Sequence, residues 1–308
     1  MSAAVVTRKL TRAYKNTVAV DGIDVSIPEG VCCGFLGKNG AGKTTTLKML
    51  AGLIRPTSGS VELFGRETAF GRPAGTAFGY LPDVPSFYGY MDGREFLLLC
   101  GRICGMEKKE LDARAAELLK LVGLDKSRAR ISGYSRGMKQ RLGIAQALLD
   151  RPRLVLMDEP ISALDPIGRR DVSEIIKQAK DATIILSTHI LSDVEDICDH
   201  VLVIDGGKIL AQDYLAALKE KHSAGAVKIR MGDEAGAARL GDALKSQGFE
   251  LAAGQGPAET VARLPGRDSA EAGRMALAAL HLLGAPCISF GRHEPNLEDV
   301  FFEVLRDA

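Results

Sequence analysis

The chain has 308 residues, a length that suits about two domains. Lys and Arg number 40 against 39 Asp and Glu, a formal net charge of +1, which argues against an extended nucleic-acid surface or a polybasic membrane patch. Aromatics are 5% with no Trp, against base-stacking platforms, while 46% apolar and 26% charged residues fit a globular fold rather than disorder or collagen-like repeats.

The first stretch, Met1 to Leu10, lacks the apolar core of a signal peptide. Residues 1–30 alternate as an antiparallel sheet would, and Val18 to Ile27, with Gly22, reads as a strand pair ending at Pro28-Glu29-Gly30. Val31 to Leu36 is an apolar run suited to a buried strand. Gly37 to Gly42 is glycine-rich, and Lys43 to Leu53 reads as a helix with Leu47, Leu50 and Ala51 on one side. Gly59 to Phe64 reads as a strand. Helical patterns follow over Arg94–Ile103, Glu107–Val122 and Gly137–Leu149, the second carrying Leu111, Ala115, Leu118, Leu119 and Val122 and stopping at Gly123. Short apolar strands, Leu154–Met157, Ile184–Leu186 and Val201–Ile204, complete a parallel α/β pattern with a helical insertion.

The charged stretch Lys219-Glu220-Lys221-His222 reads as a linker. Beyond it the pattern is strand Val227–Met231, helix Glu234–Ser246, strands Phe249–Ala253 and Thr260–Leu264, helix Ser269–Leu283 and strand Cys287–Phe290. This βαββαβ order is the ferredoxin-like arrangement. A last helix, Leu297 to Leu305, follows Pro295. The longest uncharged stretch, Met275 to Gly291, is too short and too interrupted by His281, Gly284 and Pro286 to cross a bilayer, so a cytoplasmic chain is expected. Six scattered cysteines (Cys32, Cys33, Cys100, Cys104, Cys198, Cys287) form no metal-ligand spacing and are expected as reduced thiols.

Gly37-Lys38-Asn39-Gly40-Ala41-Gly42-Lys43-Thr44 matches the phosphate-binding P-loop between a strand and a helix. Converging backbone N–H groups need glycines that put no side chain in the way, and the helix N-terminus adds its dipole. Lys43 brings a point charge to the β- and γ-phosphates and Thr44 a hydroxyl ligand for Mg2+. Farther on, four apolar residues end in Asp158-Glu159. A buried strand there would hold Asp158 near the Mg2+ and set Glu159 where an attacking water enters, as general base or polariser.

Tyr134-Ser135-Arg136-Gly137-Met138-Lys139-Gln140-Arg141 lies between these motifs and resembles the signature of ATP-binding cassette (ABC) transporters, Leu-Ser-Gly-Gly-Gln. Ser135 and Gly137 match its serine and second glycine; Tyr134, Arg136 and Met138 depart from it, in the manner of drug- and polysaccharide-exporter ATPases. The resemblance implies a P-loop NTPase α/β fold: a parallel-sheet core, an antiparallel β subdomain and a helical subdomain at about 92–150. The cassette would span residues 1–220, with a C-terminal α+β accessory or regulatory domain over 221–308. It implies two cassettes closing head to tail, as a homodimer or heterodimer, so that Ser135 and Gly137 of one face the ATP of the other. Ser162-Ala163-Leu164-Asp165 resembles the D-loop, which crosses that interface. Ser187-Thr188-His189 resembles the H-loop, with His189 toward the γ-phosphate. Tyr14 stands where the family places an aromatic against adenine, and Lys38, Asn39, Gly40, Ala41 and Thr45 fall in the nucleotide loop. Asp83 replaces the usual glutamine of the Q-loop, a shorter side chain that could reach Mg2+ directly or through water.

The expected activity is therefore ATP hydrolysis driving a separate membrane permease from the cytoplasmic face of the membrane, in the export direction. The segment Asp83–Tyr90, with Phe87, Tyr88 and Tyr90, would contact that permease. Glu294 to Phe301 resembles the ending of exporter ATPases. The alternatives are a soluble ABC ATPase acting on ribosomes or DNA, and a regulatory module that binds nucleotide without turnover. The single P-loop, the short interval between Gly42 and Ser135 and the neutral charge count against the first. The presence of Glu159 and His189 counts against the second. The tail carries no catalytic cluster in its sequence, so dimer stabilisation or regulation is expected of it.

Overall fold

A computed structural model describes residues 2–306 apart from 69, 71–77, 163, 180, 224, 254–255 and 257. Ala163 of the D-loop segment lies outside the described residues. The chain divides into two units, Met1–Leu215 with Val304–Ala308, and Ala216–Glu303.

The first unit opens with β1 (Ala3–Tyr14), β2 (Thr17–Pro28), β3 (Cys32–Leu36), α1 (Lys43–Leu50), β4 (Ser58–Leu63), β5 (Arg66–Glu67) and β6 (Phe78–Leu81). A helical segment follows: α2 (Gly93–Ile103), α3 (Lys108–Leu121), a 3-10 turn (Ile131–Gly133) and α4 (Arg136–Ala147). Then come β7 (Leu154–Asp158), α5 (Pro166–Gln178), β8 (Thr183–Thr188), α6 (Leu191–Ile197), β9 (His200–Asp205) and β10 (Lys208–Tyr214). One sheet has the order β10-β9-β3-β8-β7-β6 and is parallel except for the edge pair of β10 with β9. A second, antiparallel sheet has the order β2-β1-β4-β5.

Every residue of β7 and of β8 is buried, which is why each carries an apolar run, Leu154–Met157 and Ile184–Leu186, without alternation: a central parallel strand is covered on both faces. The two sheets meet where the Gln212 amide bonds both backbone groups of Ser26, accepting from its N–H at 3.1 Å and donating to its carbonyl at 3.0 Å. A shared core joins Leu10, Val20, Phe35, Leu47, Leu63, Leu156 and Ile204. In the helical segment α2 starts on a reciprocal cap: the Asp92 carboxylate accepts from the Glu95 N–H at 2.8 Å while Glu95 accepts from the Asp92 N–H at 2.9 Å.

α7 (Leu215–Ser223) leads into β11 (Ala226–Met231), α8 (Glu234–Ser246), β12 (Glu250–Ala253), β13 (Glu259–Arg263), α9 (Ser269–Leu283), β14 (Cys287–Arg292) and α10 (Leu297–Arg306). The sheet of the second unit has the order β12-β13-β11-β14, with every pair antiparallel. This is the ferredoxin-like order, and α8 and α9 share one core with Val227, Ile229 and Met231 of β11. Asp233 and Asp268 cap α8 and α9 by accepting from Gly236 and Glu271 N–H groups at 2.6 and 2.7 Å. Gly284, left-handed at φ 60°, stops α9. Both helices therefore run over the spans their sequence signals mark.

Three expectations need correction. Val18–Ile27 is one strand, not a strand pair: β2 runs unbroken through Gly22, whose φ of 60° coincides with an irregularity in the pairing with β1. The glycine makes a bulge rather than a reversal. The helix after the P-loop ends at Leu50, because Gly52 turns left-handed at φ 68°. The charged stretch 219–222 is no linker but part of α7, where Leu215 and Leu218 on the same helix are buried. The helices α5 and α6 and the strands β5, β6 and β10 are additions that the sequence pattern does not delimit.

Candidate functional site

The loop between β3 and α1 sits where backbone approaches backbone. A Cβ on Gly37 would lie 2.4 Å from the carbonyl oxygen of Ile204 in β9, and one on Gly42 would lie 2.5 Å from the carbonyl of Ala19 in β2. Gly42 is the residue before α1 and holds φ 110°, which aims the first N–H groups of α1 into the loop. Lys38, Asn39 and Gly40 form its exposed crest, Ala41 is buried, and Thr44 and Thr45 are half-buried.

Lys43 folds back into this loop. Its ammonium, 6% exposed, donates to the carbonyls of Gly37 at 2.6 Å and Lys38 at 3.2 Å and lies 3.7 Å from Glu159 Oε1. Burial lowers its pKa from the ordinary lysine value, opposed by the Glu159 and Asp158 charges. It is a desolvated cation in a loop that phosphates fit.

Asp158 ends β7 with 2% exposure. Its Oδ1 accepts from the Thr44 hydroxyl at 3.0 Å and the Ser187 hydroxyl at 2.6 Å. The register pairs Asp158 with Ser187 across β7 and β8, so two buried parallel strands deliver these groups to one point. Glu159, the next residue, takes the left-handed region at φ 48°, and its N–H is received by both the carbonyl and the hydroxyl of Ser187, at 3.1 and 3.0 Å. This unusual backbone turns its carboxylate back across the loop mouth. There both oxygens lie within 3.1 Å of His189 Nδ1, on the segment that leaves β8.

Lys43, Thr44, Asp158, Glu159 and His189 are thus brought into one cluster as the sequence motifs anticipate. Ser187 belongs to it as well, and the sequence reading gave it no role; its place two residues before His189 at the end of an apolar strand was the available signal. Ser135, Gly137 and Asp165 lie against other groups. Ser135 caps α4 by accepting from the Met138 N–H at 3.2 Å. The space around Gly137 borders Leu164 and Ser135 rather than the P-loop. Asp165 caps α5, accepting from the Gly168 N–H at 2.7 Å ahead of Pro166. Signature and D-loop residues therefore form a second grouping. Tyr14 ends β1, 43% exposed, with the Arg12 guanidinium 4.3 Å from its ring centre. Asp83 is exposed just beyond β6.

The donor set suits the implied ligands. Asp158 is a buried carboxylate whose close partners are hydroxyls, and with Thr44 it offers hard oxygen donors of the kind Mg2+ takes. The glycine cradle and the buried Lys43 ammonium suit the phosphates of ATP.

A family model described as ABC transporter matches residues 20–162. The YxlF protein of Bacillus subtilis, described as an uncharacterized ABC transporter ATP-binding protein, is 37% identical over 96% of this chain and 97% of its own length. The daunorubicin/doxorubicin resistance ATP-binding protein DrrA of Streptomyces peucetius is 33% identical over 98% of this chain and 92% of its own. The bacitracin transport ATP-binding protein BcrA of Bacillus licheniformis is 42% identical over 72% of this chain and 73% of its own. A solved structure of an ATP-binding subunit of an ABC transporter superposes with a TM-score of 0.64 at 29% identity, over 71% of this chain and 93% of that one. Fold and site together define an ABC-type ATPase. The chain belongs to the ATP-binding proteins of ABC transporters.

Proposed function

We propose that the chain is the ATP-hydrolysing subunit of an exporter-type ABC transporter, that it closes head to tail as a homodimer or with a second cassette, and that it drives a separate membrane permease from the cytoplasmic face. The carrying observation is the division of the motif residues. Lys43, Thr44, Asp158, Glu159, Ser187 and His189 gather at the P-loop, while Ser135 and Gly137 lie with Leu164 in another grouping. A site made of both needs a second cassette. Relatives named for bacitracin transport and daunorubicin/doxorubicin resistance support export and favour transport over action on ribosomes or DNA.

In this reading the N–H groups of residues 37–45 and the Lys43 ammonium bind the phosphates, and Tyr14 stacks on adenine. Thr44 and Asp158 hold Mg2+, with Asp83 reaching it directly or through water. The metal supplies charge neutralisation at the β- and γ-phosphates. Binding takes Lys43 away from Glu159, which then accepts a proton from the attacking water while His189 holds the γ-phosphate. Ser135 and Gly137 of the other cassette, at the N-terminus of α4, complete the enclosure. Residues 221–308 stabilise the dimer or regulate turnover.

The test is sedimentation of Glu159→Gln with and without MgATP, beside the wild-type ATPase rate. The expected result is an ATP-dependent dimer of the variant without turnover. A monomeric variant and an inactive wild type, both persisting with the permease co-expressed, would overturn the proposal.

A further inference from the structure

Tyr80 lies on β6, and the parallel register sets it opposite Leu156 of β7. Leu156 and Asp158 are two apart on one strand and share a face. Tyr80 is on that same face: its ring packs against the core that includes Leu154 and Leu156 of β7 and Leu47 and Met49 of α1. This is the side from which Thr44 of α1 reaches Asp158. The Tyr80 hydroxyl is buried and finds no hydrogen-bond partner among the described residues. Buried hydroxyls are almost always paired, so an orphan beside a ligand site points to a partner that arrives with the ligand. Burial, then the charges of Asp158 and Asp83, push its pKa up to about 12, so it stays protonated and can only be useful at neutral pH as a donor that also accepts. Both carboxylates in question are the ones proposed for Mg2+, and one of them, Asp83, is shorter than the glutamine usual at its position.

We propose that Tyr80 is a positioning residue of the nucleotide site, its hydroxyl donating to the shell of oxygens, carboxylate or bound water, that Asp158 and Asp83 hold around Mg2+. The inference rests on the ATPase reading above. It gives the carboxylates of Asp158 and Asp83 a neutral hydrogen-bond donor beside them.

Tyr80→Phe removes one oxygen and keeps the ring. The test compares full-length wild type and variant by thermal unfolding without nucleotide, with ATP in EDTA, and with ATP over a Mg2+ titration, together with ATPase rates over the same titration. The expected result is an apo melting temperature equal to or above wild type, an unchanged response to ATP in EDTA, and a Mg2+ half-saturation raised about five- to tenfold, the worth of one hydrogen bond. Equal Mg2+ half-saturation in the two proteins overturns the inference alone. Equal losses in apo stability and in ATP binding in EDTA overturn it too, marking the hydroxyl as structural. A wild type with no response to MgATP overturns the ATPase reading and this inference with it.

Discussion

The Lys43 ammonium lies 3.7 Å from Glu159 Oε1, and the same carboxylate receives His189. Without nucleotide, the group proposed as base is held by the group proposed to bind phosphate. In the proposed function ATP breaks this pair. Glu159→Gln removes the competing charge, so the variant should bind ATP in EDTA several-fold more tightly than wild type, as an uncompensated carboxylate no longer faces the γ-phosphate. Calorimetric titration checks this, and equal affinities would show that the pair imposes no cost on binding.

His189 is 45% exposed on its side chain and leans on Glu159. His189→Ala should lower the ATPase rate by about 100-fold or more, the scale of a lost proton-transfer or positioning group, while ATP binding persists. Rate and binding assays on the same preparation separate the two effects.

Ser187 is fully buried and bonds both Asp158 and the Glu159 N–H. Ser187→Ala leaves Asp158 with the Thr44 hydroxyl and takes one acceptor from Glu159. The expected loss is about 1–3 kcal/mol in denaturant unfolding, together with a weaker Mg2+ dependence of nucleotide binding.

In the second unit the Glu303 carboxylate accepts from His222 at 2.7 Å and from Arg263. Burial raises its pKa, but the bonds from His222 and Arg263 outweigh it, and the folded value is lower than usual. A carboxyl with a lowered folded pKa contributes stability that is present above its unfolded value and fades as pH falls through the folded one. Wild type should therefore lose stability below about pH 4.3, the ordinary glutamate value, more steeply than Glu303→Gln. Urea unfolding of the full chain at pH 7 and at pH 4 and below reads the difference.

Burial raises the Cys33 thiol well above its usual pKa, while Cys198 is raised by its bond with Cys32 and then by burial. Cys287 is exposed. In a native thiol-labelling time course at pH 8, Cys287 should be modified first, with Cys33 and Cys198 protected until the chain unfolds. Peptide mapping of early time points checks the order.

Local sequence determined the P-loop, the acidic strand end and the ferredoxin-like tail. Each rests on neighbours in the chain: glycines spaced around Lys43, an apolar run ending in Asp158-Glu159, and the succession of strand and helix patterns from Val227 to Phe290. The ends of α1 and the role of Gly22 were less legible, because a glycine that stops, bulges or turns a chain looks the same in one dimension. α7 reads as a linker because the charged run 219–222 masks a helix whose Leu215 and Leu218 are buried. Tertiary structure alone decided that Ser187 bonds Asp158, that Glu159 turns at φ 48° onto Lys43 and His189, and that the Tyr80 hydroxyl has no hydrogen-bond partner among the described residues. Those relations depend on which strands lie side by side and in what register. β7, β8 and β6 are far apart in the chain and adjacent in the sheet, and a hydrogen bond is sensitive to tenths of an ångström that residue order does not carry.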